Sequence, residues 1–123
     1  MKRKRSIAAG ALLAFFTLGV LGTLEVLRGP RSVFFGFDRN LQKSYEAISP
    51  GAEKWQAMAA LGQPWQTKDV FCLPQRHGFE NYFEAAERSS AVEYLLWING
   101  TNWFYCIGFD SEGKVVVKGE GHS

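Results

Sequence analysis

Residues 6–24 (SIAAGALLAFFTLGVLGTL) carry no charge over nineteen consecutive positions. At ~1.5 Å per residue they would form a helix of roughly 28 Å, close to the hydrocarbon thickness of a bilayer. A chain of 123 residues has no core large enough to bury a helix that is apolar on every side. Lys2, Arg3, Lys4 and Arg5 precede the run, and such a cluster stays on the cytoplasmic side. The expectation is therefore a single-pass protein with a cytoplasmic N-terminus and an extracytoplasmic C-terminal domain. Val20-Leu21-Gly22 is a passable cleavage site. The length of the run and the lack of an Ala-x-Ala pattern favour a retained signal-anchor over a cleaved signal peptide.

The formal charge of +2 is unevenly spread. From residue 29 onward there are nine basic and eleven acidic residues, about −2 in all. A slightly acidic domain lacks the electrostatic footprint of a nucleic-acid binder. The basic residues read as targeting.

Four regions follow. Residues 1–28 are the basic tip and transmembrane anchor, 29–37 (GPRSVFFGF) a connector, 38–118 the domain and 119–123 a flexible tail. Asp38 is placed to cap a helix bearing Leu41, Tyr45 and Ile48 at i, i+4, i+7. Ser49-Pro50-Gly51 breaks it. A second helix over residues 52–61 puts Trp55, Met58 and Leu61 on one core-facing stripe, and Gly62 and Pro64 end it. Residues 70–73 read as a short strand or an extended loop, and residues 79–88 as a short helix. Residues 92–98, 103–109 and 114–118 alternate as strands joined by turns at 99–102 and 110–113, an antiparallel meander. The expected fold is α+β: an N-terminal transmembrane helix, then two helices packed on a three-stranded antiparallel sheet.

Ile48-Ser49-Pro50-Gly51, followed by Met58 and Leu61-Gly62-Gln63-Pro64, resembles the I-x-x-G…V-x-x-L-G-x-P signature of the SmpA/OmlA (BamE-like) family of small envelope proteins. Phe109-Asp110-Ser111-Glu112-Gly113-Lys114-Val115 resembles that family's Phe-Asp-x-x-Gly-Lys-Val turn. The likeness spans roughly residues 41–118 around a longer, more aromatic middle segment, without a lipobox cysteine. It implies two helices on a three-stranded sheet, and a role in assembling envelope proteins.

Catalytic chemistry has few candidates. Cys72 and Cys106 fit either a disulfide or two unpaired thiols; both remain open. His77 lies five residues from Cys72, but no second Cys/His pair completes a zinc site. His77 reads as a surface residue, and His122 as part of the tail. Glu80, Glu84 and Glu87 read as a solvated helix face. Asn99-Gly100-Thr101 matches a glycosylation acceptor that a hairpin turn already explains. No catalytic residue, cofactor site or metal site is assigned.

Aromatic surplus is the more informative feature. Both faces of the predicted sheet are largely apolar. Either the segment 79–88 or the connector covers the second face, or that face is open to a partner. Assigning Trp103, Tyr105, Phe109 and Tyr94 to the core leaves Trp97 and Phe104, flanked by Leu95, as the partner-binding candidates. The expected function is a membrane-tethered, non-catalytic interaction or assembly module of the cell envelope. It would meet the membrane through residues 6–24 and an envelope protein through the sheet. The alternative is a small cysteine-dependent envelope enzyme or redox protein using Cys72.

Overall fold

The computed structural model describes residues 27–123. The basic tip and the apolar run at residues 6–24 lie outside the described residues. Two 3-10 turns, Gly29–Arg31 and Val33–Phe35, lead into α1 (Arg39–Glu46) and α2 (Lys54–Leu61). Then come β1 (Gln66–Lys68), α3 (Glu80–Arg88), β2 (Glu93–Asn99), β3 (Trp103–Phe109) and β4 (Val115–Gly121). The strands make one antiparallel sheet in the order β1-β2-β3-β4.

The expected architecture is corrected on two counts. The α+β domain has four strands and three helices, not three and two. No helix among the described residues is long and apolar enough to cross a membrane. The three helices hold eight or nine residues, about 12–14 Å of rise. The membrane, signal-anchor and single-pass assignments are accordingly set aside.

Local chemistry explains most boundaries. The Asp38 carboxylate accepts hydrogen bonds from Asn40 N at 2.8 Å and Leu41 N at 3.3 Å, capping α1. Gln56 Oε1 accepts from Glu53 N at 2.8 Å at the start of α2. Gly62 ends α2 with φ +83°, a region that disfavours a Cβ. The stripe expected on α2 is rotated: Ala57 and Leu61 are buried, Met58 is partly buried, and Trp55 points to solvent. The strand β1 went unread because Gln-Thr-Lys has no apolar alternation. Its backbone bonds to β2 define it, extended by Trp65 N donating to Leu96 O at 2.7 Å.

The sheet carries a core on each face. Leu95, Trp97, Trp103, Tyr105, Ile107, Phe109 and Val115 pack against α1 and α2. Tyr94, Leu96, Phe104 and Cys106 pack under Leu73, Ala86, Phe71 and Phe83, contributed by α3 and the loop before it. The middle segment is thus the missing cover of the second face. The tail expected to fray belongs to β4 through Gly121. Beyond it, His122 sits edge-on to Phe79, with centroids 5.2 Å apart, and Ser123 N donates to Asn102 Oδ1 at 3.2 Å.

Candidate functional site

The three residues expected to form an exposed partner surface are interior. Leu95 and Trp97 are each 2% exposed and Phe104 is 8% exposed. The reason is register. Asn99 pairs with Trp103, so Trp97 lies opposite Tyr105 and Leu95 opposite Ile107. Residues directly opposite in an antiparallel pair share a face, so Leu95 and Trp97 join the α1/α2 core. Tyr94, expected on that side, faces α3 instead. Trp97 is further fixed by Nε1 donating to Gly62 O at 2.9 Å.

Cys72 and Cys106 are joined by a disulfide with Cα atoms 5.9 Å apart. The bond lies under α3 and ties the loop before that helix to the centre of β3. Neither sulfur is a free thiol. Among the described residues no group of His, Cys, Asp and Glu is arranged to hold a metal ion. The acidic face of α3 is used locally. Glu84 pairs with Arg88 at 3.9 Å and Glu87 with Arg76 at 3.2 Å. Glu80 accepts from Gly78 N, and backbone hydrogen bonding holds its carboxyl below the usual range. His77 is a surface residue beside Glu80 at 3.6 Å.

Exposed apolar surface concentrates at the end of the sheet that carries the β2–β3 loop. Of nine large hydrophobic residues exposed among the described residues, Val33, Phe34, Phe35, Trp65 and Ile98 lie here. Phe34 is 64% and Trp65 58% exposed. The connector is docked onto the loop: Thr101 N donates to Phe35 O at 3.0 Å. Gly100 permits that approach, since a Cβ there would stand 2.6 Å from Phe35 O. Trp65 leans toward Phe104, ring centroids 6.1 Å apart, and Ile98 is the register partner of Phe104.

Behind this end, a buried polar network joins the connector, α1 and three strands. Asn99 brackets the Asp38 backbone: Oδ1 accepts from Asp38 N at 2.8 Å and Nδ2 donates to Asp38 O at 2.9 Å. Asn99 Nδ2 also donates to Tyr105 Oη at 2.9 Å. Tyr105 Oη donates to Gln42 Oε1 at 2.6 Å. Gln42 Nε2 donates to Glu46 and Glu120, each at 3.0 Å. Both ends of the Asn99 amide are occupied in the fold, so the asparagine of the glycosylation-like triplet is structural. Burial pushes the Tyr105 phenol up to about 12 and raises Tyr45 further in the same direction. Lys118, lying 4.4 Å from the Tyr45 ring centroid and donating to Tyr45 O, is lowered by burial.

Comparison with protein-family models, curated proteins and solved structures finds no match. The resemblance therefore rests on the motif residues themselves. Both stretches sit at chain reversals. Ser49-Pro50-Gly51 separates α1 from α2, and Asp110–Lys114 turns β3 into β4, with Asp110 Oδ1 accepting from Lys114 N at 3.0 Å.

Sequence reasoning missed the network, because Asn99 read there as a turn residue and Gln42 was not singled out. Its signal appears only with the register: Asn99 shares the parity of Leu95 and Trp97, and a buried polar residue there needs a partner.

Proposed function

We propose that this chain is a non-catalytic protein-interaction module of the SmpA/OmlA type, which meets its partner through the connector end of the sheet. The observation that carries the reading is the gathering of Phe34, Phe35, Trp65 and Ile98 in solvent at one end of an otherwise two-sided core. Aromatic residues clustered at a surface and held on rigid elements suit a binding hot spot. Here Phe34 and Phe35 are held by a 3-10 turn that Ser32 caps, its Oγ accepting from Phe34 N at 3.1 Å. The Cys72–Cys106 disulfide supports this reading over a nucleophilic cysteine enzyme, which would need a free thiolate.

The test is site-specific photocrosslinking in cells, with the photoreactive residue placed at Trp65, at Ile98 or, as a control at the opposite end of the sheet, at Glu112. A discrete adduct from positions 65 and 98 and none from 112 is expected. No adduct, or the same adducts from all three, would refute the surface. A fast-alkylating thiol on folded, unreduced protein would instead revive the enzyme reading.

A further inference from the structure

We propose that β4 is a self-association edge: two copies of this chain pair their β4 strands antiparallel, about a two-fold axis at Gly119, into one continuous sheet. β4 closes the sheet on the side away from β1. Its hydrogen-bonding groups can be assigned residue by residue. Phe109 O accepts from Val92 N at 2.8 Å, so the Phe109 backbone is turned toward β2. Along a strand the backbone groups turn alternately to the two neighbours, so Gly108, Cys106 and Phe104 are turned toward β4. Their register partners Val117, Gly119 and Gly121 therefore point inward. Lys118 and Glu120, between them, hold their N–H and C=O groups out from the edge. Among the described residues these groups have no hydrogen-bond partner. The start of the edge is already taken: Val115 N donates to Ala52 O at 2.9 Å, and Val115 O accepts from Gly51 N at 2.8 Å. The open stretch is thus residues 117–121.

Charge selects the occupant and the register. Lys118 and Glu120 stand two residues apart on one face of β4, opposite Ile107 and Tyr105. Neither makes an ion pair among the described residues. Lys118 donates to the carbonyls of Tyr45 and Glu46, and Glu120 accepts from Gln42, so each charge meets neutral groups only. A lysine alone discourages pairing at an edge strand. With a glutamate two positions on, the edge becomes complementary to itself. An axis at Gly119 sets Lys118 of each copy opposite Glu120 of the other, and the outward backbone groups of those residues then exchange hydrogen bonds. An axis at Lys118 or at Glu120 would set like charges opposite each other, which disfavours it. Gly119 suits the axis. A Cβ there would stand 2.8 Å from Phe71 Cζ and 2.9 Å from Tyr82 Cβ. Packing within each copy thus keeps the position glycine, and at the axis the two backbones meet with no side chain between them. The contact lies on the edge opposite β1 and is separate from the Trp65 and Ile98 surface.

The test is sedimentation of the full chain in a mild non-ionic detergent over a wide concentration range, with Lys118→Glu, Glu120→Lys and an equimolar mixture of the two variants. The unaltered chain should form a reversible dimer. Each variant alone sets like charges opposite each other and should raise the dimer Kd about tenfold or more. In the mixture every Lys again faces a Glu, so the mixed dimer should regain the original Kd. Far-ultraviolet circular dichroism and melting check that each variant is folded. Should either variant fail to fold, carbodiimide coupling of unaltered light and isotopically heavy chains decides. A Lys118–Glu120 linkage joining light to heavy copies supports the edge, and linkages confined within single copies overturn it. A full chain monomeric at every concentration also overturns the proposal and leaves the edge to a strand of another protein. So does a dimer indifferent to both charge reversals, as association through residues 6–24 would be, or a mixture no tighter than its components.

Discussion

Removing the disulfide should cost the domain a large part of its stability without changing its fold. Cys72 and Cys106 are 34 residues apart, and the loop they close contains α3, β2 and most of β3. On the chain-entropy account, cross-linking a loop of that size restricts the unfolded ensemble by about 3.5–4 kcal/mol. For a domain of this length that corresponds to a fall in melting temperature of roughly 15–30 °C. Two perturbations separate the cross-link from the packing. Reduction with dithiothreitol keeps both sulfur atoms in the second core. Cys72→Ala/Cys106→Ala removes them, and because Cys106 is fully buried it should cost somewhat more. Urea titrations of oxidised, reduced and double-alanine protein, followed by tryptophan fluorescence, provide the comparison. A loss below about 1 kcal/mol on reduction would refute the reasoning. It would mean that α3 and the apolar contacts of Phe71 and Leu73 hold the middle segment in the unfolded chain as well.

Trp97→Ala should destabilise by about 3–5 kcal/mol in thermal melting, because it empties the α1/α2 core and orphans Gly62 O, whereas Trp65→Ala should cost only a few tenths of that. Tyr105→Phe leaves Gln42 Oε1 without its donor and should cost about 1–3 kcal/mol by urea unfolding. Because burial raises the Tyr105 pKa from 10.0 to about 12, the fold favours the neutral phenol. That stability is complete below about pH 10 and is lost as pH rises through about 12, so alkaline unfolding curves should be flatter for Tyr105→Phe. Gly100 and Gly113 both have φ +76°, but only Gly100 has backbone within reach of a Cβ. Gly100→Ala should therefore speed amide exchange at Thr101, while Gly113→Ala, with only the backbone strain, should not.

What could be read from the chain follows from how local each determinant is. Asp38 and Gly62 announce the two helix boundaries because capping and positive φ act within a few residues. The strand β3 shows itself through seven consecutive apolar or aromatic positions. The assignment of faces failed for a physical reason. Which side Trp97 takes depends on the pairing of Asn99 with Trp103, and a shift of one residue would exchange every side chain between faces. β1 was unreadable because its polar side chains say nothing; the neighbouring strand makes it a strand. The exposed aromatic residues were harder still. Trp65 and Trp97 are the same residue type in aromatic-rich chain, and only the completed packing shows which one is left in solvent.

The clasp between Asn99 and the Asp38 backbone also determines where the domain bears mechanical load. Chain arriving at residue 38 is bonded to the closing residue of β2 before it reaches the first turn of α1, and Phe35 O is bonded to Thr101 N just ahead of that. Tension applied through the chain upstream therefore passes into the middle of the sheet, and α1 is shielded from it. Under a pull from that side, the clasp is the element that should yield first. Its rupture would free the connector, together with Phe34 and Phe35, while the disulfide-closed remainder of the sheet stays assembled.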